Sequence, residues 1–165
     1  MRLLRHILCP IAILLIIMGN TACSGEDCPI NNTVRGKIAF YNSYGDAVSI
    51  NCILSVSVVR QQGDSVILNQ KINTADLTFP LSYTHERDTF IFCYDFNGSL
   101  IVYDTLYIAH NNMPTLVSVD CGTAIFHTIT SASSTHTLID TLIIKSPEVD
   151  YDERENIQVI YRTND

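Results

Sequence analysis

The chain has 165 residues, with 17 acidic against 10 basic side chains, a formal charge of −7 and a 47% share of hydrophobic residues. That apolar share is too high for a disordered chain, and the length suits one domain with its own core. The acidic balance opposes nucleic acid and anionic lipid, so neither is expected as an electrostatic partner.

At the N-terminus, Arg2 and Arg5 precede an apolar run from Ile7 to Met18, and Asn20-Thr21-Ala22 lead into Cys23. Positive, apolar and small-residue segments in that order form a secretory signal. The run contains Pro10 and falls short of the roughly 20 apolar residues that span a bilayer as a helix. A cysteine at this place predicts a lipoprotein signal helix over 1–22, cleaved so that Cys23 carries a diacylglycerol on its thiol and an acyl chain on its amine. Asn20 stands where an aliphatic residue is usual, and an ordinary secretory signal cut nearby is the competing reading. Residues 23–33 are then an acylated N-terminus and tether, and 34–165 the domain. Loss of Arg2 and Arg5 makes the remainder still more acidic, so contact with the membrane falls to the lipid, two or more chains of which anchor stably.

The pattern beyond residue 33 is strand throughout. Val34 to Tyr41 is expected to form a hairpin with Val48 to Val59 through the turn Asn42-Ser43-Tyr44-Gly45-Asp46. In the second arm Val48, Ile50, Cys52, Leu54, Val56 and Val58 alternate with mostly polar residues, the period of a half-buried strand. Gln61-Gln62-Gly63-Asp64 turns the chain into Ser65 to Lys71, completing a predicted three-stranded meander. Pro80 within Leu77 to Tyr83 removes a ladder donor and marks an edge strand or a crossing between sheets.

Thr89 to Phe96 and Ser99 to His110 flank Asn97-Gly98, a pair suited to a type I′ hairpin because both central residues take positive φ. Phe90, Phe92, Tyr94 and Phe96 share one face of the first arm, leaving Cys93 on the other. Pro114 is expected to open a separate strand with Val117, Val119 and Cys121 on one face, ended by Gly122. Ala124 to Thr130 fits strand or irregular chain, Ser131 to Thr135 reads as a loop, and Leu138 to Lys145 and Ile157 to Arg162 as the last strands. The sum is an all-β chain folded as a single antiparallel β-sandwich, immunoglobulin-like or transthyretin-like. The immunoglobulin signature itself is missing, since there is no Trp and Ile91 stands where the corner tyrosine would be.

An exported domain can form disulfides, and Cys28, Cys52, Cys93 and Cys121 allow three pairings. Strand phase favours Cys28 with Cys121, tying the tether to the domain, with Cys52 and Cys93 as buried thiols. A Cys52–Cys93 bridge between sheets and four reduced cysteines remain as alternatives.

A pattern of Asp, hydroxyl residue and apolar residues recurs at Asp64-Ser65, Asp88-Thr89, Asp104-Thr105 and Asp140-Thr141. Strand punctuation explains it, with Asp104 and Asp140 expected mid-strand toward solvent. It also resembles the O-glycosylation sequon of extracytoplasmic Bacteroidota proteins, best at Ser65, Thr105 and Thr141 and less well at Thr89. Cys23-Ser24-Gly25-Glu26-Asp27-Cys28-Pro29, Asn31-Asn32-Thr33-Val34, Val119-Asp120-Cys121-Gly122 and the closing Glu155-Asn156-Ile157 to Arg162-Thr163 together resemble a family of small uncharacterised Bacteroidota lipoproteins with a domain of unknown function. The resemblance implies a β-rich build and an outer-membrane address, on the periplasmic or the cell-surface face, and no catalytic residue.

Motifs for chemistry are scarce. No Gly-rich phosphate loop, Gly-x-Ser-x-Gly elbow or His-Glu-x-x-His stands in the chain, and no cofactor or metal is expected. The acidic run Glu148, Asp150, Asp152, Glu153 and Glu155 lacks the EF-hand pattern and reads as a solvated loop. The leading expectation is a lipid-anchored, non-enzymatic module that binds an envelope protein or a glycan, or serves an envelope assembly, its eight tyrosines being suited to such surfaces. The alternative is a small envelope hydrolase using carboxylates, for which Asp104 and Asp140 are the candidates.

Overall fold

A computed structural model describes Cys28 and residues 33–162. The signal segment, Cys23 and the tether residues other than Cys28 and Thr33 lie outside the described residues. Ten strands follow one another: β1 (Arg35–Tyr41), β2 (Ile53–Val58), β3 (Ser65–Lys71), β4 (Asp76–Pro80), β5 (Arg87–Asp95), β6 (Ile101–Ser118), β7 (Gly122–Ser134), β8 (Ile139–Ile144), β9 (Glu148–Val149) and β10 (Glu155–Tyr161). They form two sheets, one of four strands in the order β4-β1-β10-β8 and one of six in the order β3-β2-β5-β6-β7-β9. The all-β sandwich expected from the alternating patterns is the fold of the molecule, and among the described residues there is no helix.

The apolar faces meet between the sheets. Phe79 of β4 packs edge-on to Phe90 of β5 with centroids 5.4 Å apart, and Tyr161 of β10 meets Tyr94 of β5 at 6.0 Å. The two phenol oxygens lie 2.9 Å apart, one hydroxyl donating to the other, and burial raises the pKa of both rings. With Phe40, Phe92, Leu54, Leu106, Ile108 and Ile157 fully buried around them, these rings form a continuous core.

Several local expectations are corrected. β1 does not form a hairpin with β2: the two belong to different sheets, and only β2 and β3 pair as the meander required. The regular strand begins at Ile53, while Val48 and Ile50 lie in a crossing segment held by isolated bridges at Ala47 and Ile50. β1 instead runs parallel to β10, so the sandwich is not purely antiparallel. The side chain of Asn156 accommodates the bulge at Lys37 and Ile38: its Oδ1 accepts the Lys37 N–H at 2.8 Å while its Nδ2 donates to the carbonyls of Ser146 and Glu148. Pro114 does not open a strand but sits inside the 18-residue β6, and Ser131 to Ser134 belong to β7 rather than to a loop.

The Asn97-Gly98 hairpin is present as read, with φ of 56° and 72° and the Ser99 N–H donating to the Phe96 carbonyl at 3.1 Å. Phe90, Phe92 and Tyr94 point inward from it, but Phe96 is exposed and Cys93 is half-buried rather than buried. Pro80 ends β4, an edge strand of the four-stranded sheet.

Gly36 on β1 lies directly across from Phe79 on β4, and the ring rests where a Cβ would stand. Gly36→Ala is expected to overpack this site and cost about 1–3 kcal/mol. Urea unfolding would register it as a lower midpoint at an unchanged m-value.

Candidate functional site

The four aspartates of the recurring pattern divide into two classes. Asp88 and Asp104 are buried, whereas Asp64 and Asp140 are exposed. Asp104, expected to face solvent, instead points from β6 at the place where the chain leaves β7 for β8 and so passes from one sheet to the other. Its carboxylate accepts the Thr135 hydroxyl at 2.8 Å and the backbone N–H groups of Thr137, Leu138 and Ile139 at 2.7, 2.7 and 3.1 Å. Burial pushes its carboxyl pKa up, but these four donors outweigh burial and hold it below the usual range.

Asp88 does the same at another crossing, from β4 to β5. It accepts from the Arg60 guanidinium, from the Ser82 N–H at 2.7 Å and from His110 Nε2 at 3.0 Å. Here too burial acts upward on the pKa and the hydrogen bonds, led by His110, bring it down. His110 lies edge-on to His127 with centroids 5.1 Å apart, and His127 Nδ1 is 2.7 Å from Asn112 Oδ1. The exposed ring of Tyr83 stacks on the outer side of His127. Both imidazoles are buried, so this cluster offers a substrate no open approach to its nitrogens.

Asp140 is paired with Arg162 at 3.4 Å in solvent. The two carboxylates proposed for hydrolysis thus stand in opposite environments, and Asp104 has the low pKa of a donor-saturated anion rather than the raised pKa of a general acid. A concavity of 410 Å³ at one end of the sandwich is lined by Ile50, Cys52, Tyr94, Phe96, Leu138 and Tyr161 among others, and one of 570 Å³ lies by Arg60, Ser82 and His85. Neither is lined by a carboxylate, and two others, of 430 Å³ beside Tyr107 and of 260 Å³ beside Arg60, have Asp88 as their one carboxylate. In the acidic run, Asp150 and Asp152 bind Arg154, and Glu155 accepts from the Tyr41 hydroxyl at 2.9 Å. Among the described residues no cluster of His, Cys, Asp and Glu has the arrangement of a metal site.

The outer face of the six-stranded sheet differs from these. Cross-strand register places Tyr103 beside Cys93 and Ser55, Thr105 beside Ile91 and Ser57, and Tyr107 beside Thr89 and Ser133. Paired residues share a face, so this surface is apolar and hydroxylic. Tyr103 is 56% exposed, Tyr107 47%, and Ile101 joins them at the end of the strand. Asp95, next to Ile53 and Ile101, is the one acid in these rows. Thr105 is half-buried between the two tyrosines, whereas Ser65 and Thr141 are exposed.

Cys28 and Cys121 form a disulfide with Cα atoms 5.3 Å apart, and Cys52 and Cys93 are free thiols. Cys121 lies in the turn between β6 and β7 rather than facing the core from a strand, and Val119 beside it is exposed. The buried clusters escaped sequence reading because most of their members are 15 to 35 residues apart and come from different strands and loops.

A family model described as a family of unknown function (DUF6452) matches residues 54–161, from within β2 to the end of β10. No curated protein and no solved structure matches the chain.

Burial lowers the pKa of His127 to about 4, reinforced by His110 and opposed by Asp88. A histidine neutral in the fold but protonated when unfolded stabilises the protein fully above the unfolded value near 6.5 and progressively less as pH falls toward 4. The loss across that window is expected to reach roughly 3 kcal/mol. In His127→Gln, unfolding free energies from urea titrations between pH 7 and 4 should vary less by that amount.

Proposed function

We propose, for a chain that belongs to the DUF6452 family of unknown function, that it is a lipid-anchored lipoprotein of the outer membrane whose sandwich is a non-enzymatic binding or accessory module of the envelope. The observation that carries the binding role is the outer face of the six-stranded sheet. Tyr103, Tyr107, Ile91 and Ile101 lie there in a field of serines and threonines, with aromatic rings offered to solvent and few charges to desolvate. Such a surface suits a protein edge or the apolar face of a sugar ring. The saturation of Asp104 supports the same reading over the hydrolase, because its acceptor sites are filled by the Thr135 hydroxyl and three backbone N–H groups.

The anchor is placed at Cys23 by the sequence pattern, and the envelope address follows from it. If the recurring Asp-Ser/Thr pairs carry sugar, exposure favours Ser65 and Thr141. A glycan on Thr105 would cover the tyrosine face and compete with any partner there.

Palmitate labelling of cells should mark the wild-type chain and not Cys23→Ala. A photo-crosslinking residue at position 103 or 107 should capture an envelope protein or a polysaccharide, and the same residue at Ile143 of β8 should not. Equal yields at all three positions would remove the tyrosine face as the binding surface.

A further inference from the structure

β6 and β7 continue beyond the body of their sheet. β5 pairs with β6 only as far as Arg87 and Ala109, and β9 meets β7 only at His127 and Thr128. From Asn111 to Phe126 the two strands form a ribbon that turns at Val119, Asp120 and Cys121. Toward its tip the ribbon exposes apolar side chains, with Met113 exposed, Leu116 at 67% and Val119 at 93%. Asp120 is the one charged residue between Asn111 and Phe126. A nearly uncharged, apolar protrusion on an acidic protein is not explained by solubility.

The disulfide joins this tip to Cys28, 93 residues earlier in the chain. Cys28 follows Cys23 by five positions, a span of about 17 Å at most when fully extended. Any group held in a bilayer by Cys23 therefore keeps the tip within that reach of the lipid surface.

We propose that the tip of the β6–β7 ribbon is a membrane foot. Leu116 and Val119 enter the headgroup and acyl boundary, and the Cys28–Cys121 bond clamps the acylated N-terminus to them, so that the sandwich stands on the membrane in one orientation. The proposal rests on the lipid anchor proposed above. A few apolar side chains bind a bilayer weakly by themselves, but a tether this short makes the second contact intramolecular. Asp120 removes any preference for anionic lipid, and the contact is therefore apolar and insensitive to salt. Tilting of the domain is restricted as a result, and the tyrosine face of the sheet is presented at a set angle to the membrane.

The chain contains no Trp, so a single substitution gives a unique reporter. Val119→Trp, on a side chain that packs against little, is compared with Leu100→Trp, which is 58% exposed in the hairpin turn just before β6. Each acylated protein is reconstituted in phosphatidylethanolamine and phosphatidylglycerol vesicles containing lipid brominated on its acyl chains. The foot predicts blue-shifted emission from position 119 and quenching at least twofold stronger than at position 100, unchanged at 0.5 M salt (on the order of three times physiological ionic strength). In Cys28→Ser the quenching at position 119 should fall toward that at position 100, and undiminished quenching would overturn the clamp. Protein that floats with the vesicles while position 119 is quenched no more than position 100 overturns the foot and leaves the anchor standing. Native protein that bears no acyl group and fails to float overturns both.

Discussion

Asp104 holds the sandwich together at the point where its own ladders cannot. When a chain passes from one sheet to another, its backbone N–H groups leave one set of partners before reaching the next, and buried donors without acceptors are costly. At the β7–β8 crossing three consecutive N–H groups and the Thr135 hydroxyl converge on this one carboxylate. An ionised carboxylate has about four lone-pair sites, so the donors and the acceptor match in number. Burying the charge is tolerable only because every site is filled. Asp88 repeats the arrangement at the β4–β5 crossing, where the Ser82 N–H, Arg60 and His110 supply the donors. The two buried acids thus bind the four-stranded sheet to the six-stranded one at separate places.

This use of carboxylates has a functional consequence. A general acid needs a proton near neutral pH and an opening to substrate; Asp104, buried and held ionised by its four donors, has neither, and Asp88 is held ionised by Arg60, Ser82 and His110. The outer face of the six-stranded sheet and the β6–β7 ribbon instead expose rings, hydroxyls and aliphatic side chains. Tyr103 and Tyr107 present them on the sheet, and Leu116 and Val119 on the ribbon. Tyr103, Tyr107 and Leu116 all belong to β6, so one strand connects the face proposed for a partner with the ribbon proposed as a membrane foot.

Alternation along a strand records which face is buried but not which strand lies beside it. The inward set Leu54, Val56 and Val58 was therefore legible, while the partner of β1 was not: β1 reaches β10 across 114 or more residues and runs parallel to it. The Asn97-Gly98 hairpin was legible because its signal is local. Pro114 misled for a physical reason, since β5 ends at the level of Ala109 and no ladder on that side needs a donor from the proline. Ser131, Ala132, Ser133 and Ser134 have the composition of a loop, yet Ser131 and Ser133 simply face solvent from β7. The Asp-Ser/Thr pattern was visible at four positions, but its division into buried and exposed acids depends on Thr135, Arg60 and His110, which only the tertiary fold brings near.

The decisive quantity is the ionisation of Asp104. Titration of its side-chain carboxyl carbon by NMR, in protein labelled with carbon-13, reads it at the atom concerned. The account requires a pKa below the ordinary aspartate value of about 3.9. A value raised toward neutrality would contradict it, for the carboxylate would then lack the donors that join the two sheets and would again be a candidate for proton transfer.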